Sequence, residues 1–172
     1  REYEAIKKLG QFDNLLVLTG ENKVLTGVKY IAKALDLAKP YFNNLQIEVM
    51  PLDTEEYAEL RNHGLNGVIC FQETYNEKRY KVYHPRGPKS DYKWRINGYD
   101  RMGMAGVHKI GMGALIGLED WRTEVVMLAR HLRYLEKTYW RTQYSVNFPR
   151  MRVAENGGFQ PNVVMTDKEL AQ

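Results

Sequence analysis

Polar residues gather where the apolar runs of this chain end. Thr19, Gly20 and Glu21 follow Asn14 to Leu18; Gln72, Glu73, Thr74 and Tyr75 follow Gly67 to Phe71; Glu119 and Asp120 close the run from Lys109; Pro149 and Arg150 follow Gln143 to Phe148. In α/β proteins the binding and catalytic groups sit at strand tips of this kind. The segment KIGMGALIGLEDW, Lys109 to Trp121, carries a second signal, because Gly111, Gly113 and Gly117 interrupt Ile110, Met112, Leu115, Ile116 and Leu118. Glycine weakens a strand and marks a place where another backbone or a ligand comes close. Three glycines here point to a strand lying against a flat molecule, with ordinary parallel-sheet core as the competing explanation. No GxGxxG or Walker sequence follows any run, which counts against dinucleotide and P-loop nucleotide binding.

The elements that position these tips alternate regularly. Residues 2–9 read as a helix with Tyr3, Ile6 and Leu9 on one side and Gly10 as its stop. Val28, Ile31, Leu35, Ala38 and Phe42 make a second helical stripe, with Thr26 as its expected cap. Leu45 to Met50 is a strand whose alternation sets Leu45, Ile47 and Val49 against Gln46, Glu48 and Met50, and a glutamate there needs a partner. Asp53 and Glu56 form a capping-box pattern for a helix that closes at Gly64. Asn76 to Lys93, rich in lysine, arginine and tyrosine and punctuated by Pro85, Gly87 and Pro88, reads as a loop. A helix is expected from Trp94 to Ala105, and a longer one behind Asp120 with Trp121, Val125, Leu128, Leu132, Leu135 and Tyr139 at helical spacing. Thr166 to Gln172 reads as the start of one more. Five strands separated by four helices predict an α/β fold with a parallel sheet, all strand C-termini on one rim. Gln46, Glu48 and Met50 are expected on the inner face if the sheet curves. A barrel and an open doubly wound sheet both satisfy this pattern.

The totals set limits. The chain has 172 residues, 44% hydrophobic, with a formal charge of +4 spread along its length, which excludes a strongly basic nucleic-acid-binding face. It has no apolar window long enough to cross a membrane and no secretory leader in REYEAIKKLG. The single Cys70 excludes an internal disulfide framework, so a reducing, cytoplasmic setting is the default.

Several separated motifs occur together: FQETYN at 71–76, HPRGPKSDYKWR at 84–95, IGMGALIGL at 110–118, NFPRMR at 147–152 and ENGGFQPN at 155–162. In this order they resemble the radical S-adenosylmethionine (SAM) tyrosine lyases along essentially the whole chain. The thiamine-pathway branch is the nearer match, favoured by IGLEDWR and ENGGFQPN, and the hydrogenase-maturation branch the next. The resemblance implies a partial (β/α) barrel of TIM type over residues 1–152, followed at 153–172 by the start of a biotin/thiamine-synthesis-associated segment. It implies a [4Fe-4S] cluster, S-adenosylmethionine, and cleavage of L-tyrosine between Cα and Cβ to 2-iminoacetate and p-cresol. The implied protein partners are thiazole synthase and a reductant such as flavodoxin or ferredoxin, with no nucleic acid and no membrane.

The resemblance assigns Thr19, Gly20 and Glu21 to the methionine amino group of the cofactor, Arg95 to its carboxylate, and Gly113 and Gly117 to the strand beside its adenine. It assigns Arg150 to the substrate carboxylate and carries Gln72, Glu73 and Tyr75 as substrate-pocket residues without a fixed role. Two departures stand out. The cluster-binding Cys-x3-Cys-x2-Cys is absent, so these residues alone are expected to be inactive and are expected to be an internal fragment. Val153 replaces the proline usual after the PRMR-like segment. Two unpaired sheet edges would make the isolated segment prone to association. A non-catalytic cofactor-binding or scaffold module is the alternative from another class.

Overall fold

The computed structural model describes residues 1–152, 158–161 and 163–171. The expected alternation is present. Helix α1 (Glu2–Leu9) leads into β1 (Asn14–Leu18), α2 (Val28–Ala38), β2 (Asn44–Glu48), α3 (Thr54–Asn62) and β3 (Leu65–Glu73). There follow α4 (Glu77–Tyr83), a single 3-10 turn (Pro88–Ser90), α5 (Tyr92–Ile96), α6 (Gly98–Met104), β4 (Lys109–Ala114), α7 (Trp121–Thr138), β5 (Gln143–Asn147) and the short α8 (Asp167–Leu170).

The strands form one sheet in the order β1-β2-β3-β4-β5, every pair parallel. A doubly wound sheet would reverse its order at a switch point. Here the order never reverses, and the helices cover one face only. Leu45, Ile47, Val68, Cys70, Ile110 and Met112 point into a core shared with Ile31, Leu35, Tyr57, Leu60, Leu128 and Leu135 from the helices. The alternate residues of the strands, among them Leu16, Gln46, Glu48, Ile69 and Phe71, lie half-buried or exposed on the other face. One-sided winding is the plan of a (β/α) barrel. Of the three residues expected inside the curve, Gln46 and Glu48 face it, whereas Met50 lies past the end of β2 and is buried in the core.

Local chemistry sets the element ends. Asp53 and Glu56 form the expected capping box, and Asp120 accepts from Thr123 N. Gly64 and Gly106 take positive φ after α3 and α6, and Val107 N reaches back to Met102 O in a Schellman-type closure.

Three expectations are corrected. Residues 76–93 are not a plain loop, because Asn76 caps α4 through Arg79 N, and Tyr80 is wholly buried beneath. The helix expected over 94–105 starts earlier and is two helices meeting at Asn97. There Arg101 Nη2 takes the Trp94 carbonyl at 2.7 Å and Nε takes Leu52 O at 2.8 Å, stitching both to the loop after β2. Thr26 does not cap α2, whose N-cap is Gly27; its hydroxyl donates to Gly20 O and Asn22 O, closing the turn after β1. Val153 and residues 155–157 and 162 of the ENGGFQPN motif lie outside the described residues.

The β4 glycines have a structural use. A Cβ on Gly113 would lie 2.1 Å from Asn147 O of β5, and one on Gly111 would lie 2.9 Å from the Ile69 side chain. The close approach is made by the chain's own neighbouring strands. By contrast, a Cβ on Gly20 meets nothing within 4 Å. Gly113→Ala is therefore expected to cost about 2 kcal/mol or more of stability, since a backbone oxygen cannot move aside as a side chain can. Gly20→Ala should stay within about 0.5 kcal/mol. Denaturant unfolding of the two variants checks this contrast, and equal losses would remove the packing explanation.

Candidate functional site

The C-terminal tips of β1, β2 and β3 enclose a cavity of about 140 Å³ whose polar lining is Thr19, Glu21, Glu48, Glu73, Lys89 and Arg95. A second cavity of about 220 Å³ adjoins it, lined by Glu21, Lys23, Met50, Pro88, Lys89, Trp94 and Arg95 among others. The two share Glu21, Lys89 and Arg95. A larger groove between α1 and α2 lies away from the strand tips and gathers mainly tyrosines and cations on an open surface; the charged cavities at the tips are the stronger candidate.

Arg95 organises the rim. It belongs to α5, whose Asp91 cap accepts from Trp94 N, and it is 4% exposed. Its Nη2 meets Glu21 Oε1 at 2.6 Å and Glu73 Oε1 at 3.9 Å, its Nε donates to Tyr80 Oη at 3.0 Å, and its Nη1 donates to Cys70 Sγ at 3.5 Å. Burial alone would lower its pKa; Cys70, Glu21 and Tyr80 outweigh that and hold it charged. Lys89, from the 3-10 turn, pairs with Glu73 at 2.6 Å and lies 3.9 Å from Glu21. Glu48 adds a third carboxylate, its pKa raised by burial and by the neighbouring Glu73. The Thr19 hydroxyl is buried with no hydrogen-bond partner among the described residues. Around the first cavity three carboxylates face two cations, a surplus of negative charge with an unused hydroxyl beside it; Lys23 of the second cavity is paired with Glu56 at 2.9 Å.

The expected residues divide into those gathered here and those placed elsewhere. Thr19, Glu21, Glu73 and Arg95 come together. Gln72 does not line the cavity, because strand alternation turns it to the helix side, fully buried with Nε2 on Thr74 O and Oε1 without a partner among the described residues. Tyr75 also points away: its hydroxyl meets His131 Nδ1 at 3.0 Å beneath α7. Gly113 and Gly117 line neither rim cavity; the space beside Gly117 is taken by Met151, Val163 O and Pro161. Arg150 is engaged by Met165 O at 3.1 Å and Asp167 at 2.6 Å, so its guanidinium is tied to the C-terminal segment and not to Glu21 and Arg95. Glu119, another strand-tip acid, is bound by Arg79, Asn76 and Tyr83, which fasten α4 to the loop after β4.

Sequence reasoning passed over Lys89, which stood among the cations of a segment read as a loop. Its signal was its place in HPRGPKSDY, five residues before Trp94 and six before Arg95.

Solved structures share this architecture. The [FeFe]-hydrogenase maturase HydG superposes with a TM-score of 0.90 at 28% identity, covering 98% of this chain and 38% of that one. The same maturase from Carboxydothermus hydrogenoformans gives 0.90 at 27%, covering 98% and 40%. Methylornithine synthase, at TM-score 0.66 and 17% identity over 98% of this chain and 49% of that one, is a likeness of fold alone. The chain thus has the fold of the radical SAM TIM-type barrel enzymes, of which it presents five parallel strands with their helices.

In sequence it is similar along all of its length to the 2-iminoacetate synthases. It is 47% identical over 173 aligned residues to that of Salmonella typhimurium and 46% identical to that of Escherichia coli K12. It spans 45% of each of these relatives. No family model matches the chain.

Chemistry of the donor set separates the two groups that the fold implies. For S-adenosylmethionine the rim fits: carboxylates suit an ammonium and a sulfonium, Arg95 and Lys89 suit a carboxylate, and the Thr19 hydroxyl stands unused. For an iron-sulfur cluster these residues do not fit. Cys70 is the single cysteine, buried on the helix side, its thiol pKa raised by burial against the opposing pull of Arg95. Among the described residues no group of three or more His, Cys, Asp or Glu could hold a metal ion. Among them also, no helix is long and apolar enough to cross a membrane.

Glu48 gives a measurable electrostatic signature. Its folded pKa lies above the unfolded value, so between the two the native state binds more protons and stability falls as pH rises. Glu48→Gln should therefore raise the thermal midpoint at pH 7, and the gain should vanish below about pH 4, where the carboxyl is protonated in both states. A gain independent of pH would count against this origin.

Proposed function

We propose that these 172 residues form the cofactor-binding side of a radical SAM lyase that splits L-tyrosine between Cα and Cβ into 2-iminoacetate and p-cresol, serving thiazole formation in thiamine biosynthesis. The observation that carries this reading is the 47% identity to 2-iminoacetate synthase maintained from one end of the chain to the other. The charged rim supplies its physical support. The two products together contain every atom of tyrosine, so the electrons are consumed by reductive cleavage of the cofactor and not by the substrate.

S-adenosylmethionine supplies a 5′-deoxyadenosyl radical when bound beside a reduced cluster. Of the residues here, Glu21 and Thr19 receive the ammonium of its methionine end, with the Gly20 backbone beside them, and Arg95 turns part of its fork to the carboxylate. Glu73 and Lys89 set the floor of the site, Gly113 keeps β5 close behind it, and Gly117 makes room for Met151 and the C-terminal segment. Arg150, at the tip of β5, holds the substrate carboxylate once Asp167, 91% exposed at its side chain, yields it. The cluster ligands belong to residues other than these, and the reductant is a flavodoxin or ferredoxin. Thiazole synthase is the protein partner expected to take the imine, in the cytoplasm. The segment after residue 152 begins the C-terminal portion of the lyase.

A second reading, the hydrogenase-maturation branch, is favoured by the TM-score of 0.90 to HydG and disfavoured by the lower identity of 28%. The test uses the full-length protein that contains these residues, reduced and anaerobic, with S-adenosylmethionine and tyrosine. p-Cresol and 5′-deoxyadenosine are expected, with glycine or glyoxylate from the hydrolysed imine and neither carbon monoxide nor cyanide. Absence of both expected products overturns the lyase reading, and cyanide release selects the second branch. In the same protein Glu21→Gln should weaken S-adenosylmethionine binding by about tenfold, as loss of one charge-assisted hydrogen bond implies.

A further inference from the structure

Glu73 is the one residue other than glycine with positive φ among the described residues, at +71°. It sits at a register shift in the pairing of β3 with β4: Phe71 opposes Gly113 and Glu73 opposes Ala114, so Gln72 is the extra residue of a bulge. Bulges beside binding sites re-aim side chains, and a left-handed glutamate is held only where its surroundings over-determine it. The bulge brings the Glu73 carboxylate to Lys89 and towards Arg95.

What holds the strand in this shape lies on the opposite side of the sheet. Glu124, in the first turns of α7, is 2% exposed, and its two oxygens accept from the residues that follow Glu73: Thr74 Oγ1 at 2.6 Å and Tyr75 N at 2.8 Å. Thr74 Oγ1 in turn accepts from Asn76 N at 3.0 Å. Leu115 N donates to Glu73 O at 2.8 Å, so the peptide is pinned from β4 as well. No cation neutralises Glu124 among the described ion pairs; its position in the N-terminal turns of α7 and these two donors are what it has.

A buried carboxylate without a cation is costly where a leucine would pack. Here it satisfies a backbone N–H and a hydroxyl just after a left-handed residue. From this geometry we infer that Glu124 is a positioning residue: it clamps Thr74 and Tyr75 under α7 and so fixes the bulge that turns the Glu73 carboxylate into the cofactor cavity. The ligand part of this inference rests on the proposed function; the clamp does not.

The experiment uses the full-length protein with Glu124→Ala, Glu124→Gln, Glu73→Gln and the Glu73→Gln/Glu124→Ala double variant. Amide hydrogen exchange over 72–76 reads the clamp without any ligand, and equilibrium dialysis reads S-adenosylmethionine affinity. Exchange in this segment should accelerate about tenfold or more in Glu124→Ala and stay near wild type in Glu124→Gln, whose amide can accept from Tyr75 N and donate to Thr74 Oγ1. Affinity should fall in Glu124→Ala about as far as in Glu73→Gln, and the double variant should lose no more than Glu73→Gln alone, since both remove one interaction.

Multiplied losses in the double variant would overturn the inference, as would unchanged exchange in Glu124→Ala. Equal exchange and affinity losses in the alanine and glutamine variants would also overturn it. If the wild type itself binds no S-adenosylmethionine, the proposed function fails, and the exchange result still decides the clamp.

Discussion

A guanidinium buried at the junction of three secondary-structure layers is the constraint on which the rest of this rim depends. Leaving Arg95 unpaired in that position would cost several kcal/mol, far more than a typical exposed pair contributes. Its surroundings remove that cost: Glu21 from beyond β1, Tyr80 from α4, and Cys70 from β3 each accept from a different nitrogen, with Glu73 further off. Each partner arrives on a separate element, so satisfying one side chain aligns β1, β3, α4 and α5. Tyr80 illustrates the chain of consequences. Its hydroxyl donates to Lys89 O at 2.7 Å, so the residue that satisfies Arg95 also places the turn that carries Lys89. Burial pushes the Tyr80 pKa up to about 12, with Arg95 pulling the other way, so this hydroxyl keeps its proton and its role as donor.

The sheet's two faces divide the labour. Towards the helices, apolar residues close a continuous core, and most of the polar groups named there are bonded, Gln72 Oε1 being the exception among the described residues: Tyr99 Oη donates to Cys70 O at 2.6 Å, and Glu124 holds Thr74 and Tyr75. Towards the inside of the curve, the strands mix polar or charged residues such as Gln46 and Glu48 with the apolar Leu16, Ile69 and Phe71, and the charged groups gather at the tips. The β4 glycines belong to this arrangement by letting β3 and β5 close in on either side. Side chains at Gly111 and Gly113 would run into Ile69 of β3 and Asn147 O of β5.

Much of this was legible in the sequence because it rests on local periodicity. Strands β1 to β5 and the long helix α7 show alternation or helical spacing strong enough to place them, and the caps at Asp53 and Asp120 are set by residues next to them in the chain. What was not legible depends on long-range partners. The basic and aromatic stretch after Asn76 reads as a loop until Tyr80 is seen buried against Arg95. The break between α5 and α6 comes from Arg101 reaching the carbonyls of Trp94 and Leu52, a contact that no local pattern announces. Of the candidate site residues, Thr19, Glu21, Glu73 and Arg95, expected from strand-tip position or resemblance, come together at the rim. Gln72 lies elsewhere because alternation along β3 turns it to the helix side, and Tyr75 because the chain after the left-handed Glu73 passes beneath α7.

The pairing within the rim also bears on what it can exchange with a ligand. Arg95 and Glu21 already lie at 2.6 Å, so a ligand that offered only an anion to Arg95 would leave Glu21 with Lys89 at 3.9 Å, and one that offered only a cation to Glu21 would leave Arg95 with Glu73 at 3.9 Å. Either outcome exchanges a short ion pair for a longer one beside the buried Arg95, which offsets part of what the new contact contributes. A zwitterion avoids this, because its carboxylate and ammonium replace both halves of the pair together. The surplus carboxylate at Glu48 then favours ligands that bring an additional positive charge. The methionine end of S-adenosylmethionine, with carboxylate, ammonium and sulfonium close together, satisfies both conditions. A nucleotide phosphate satisfies neither.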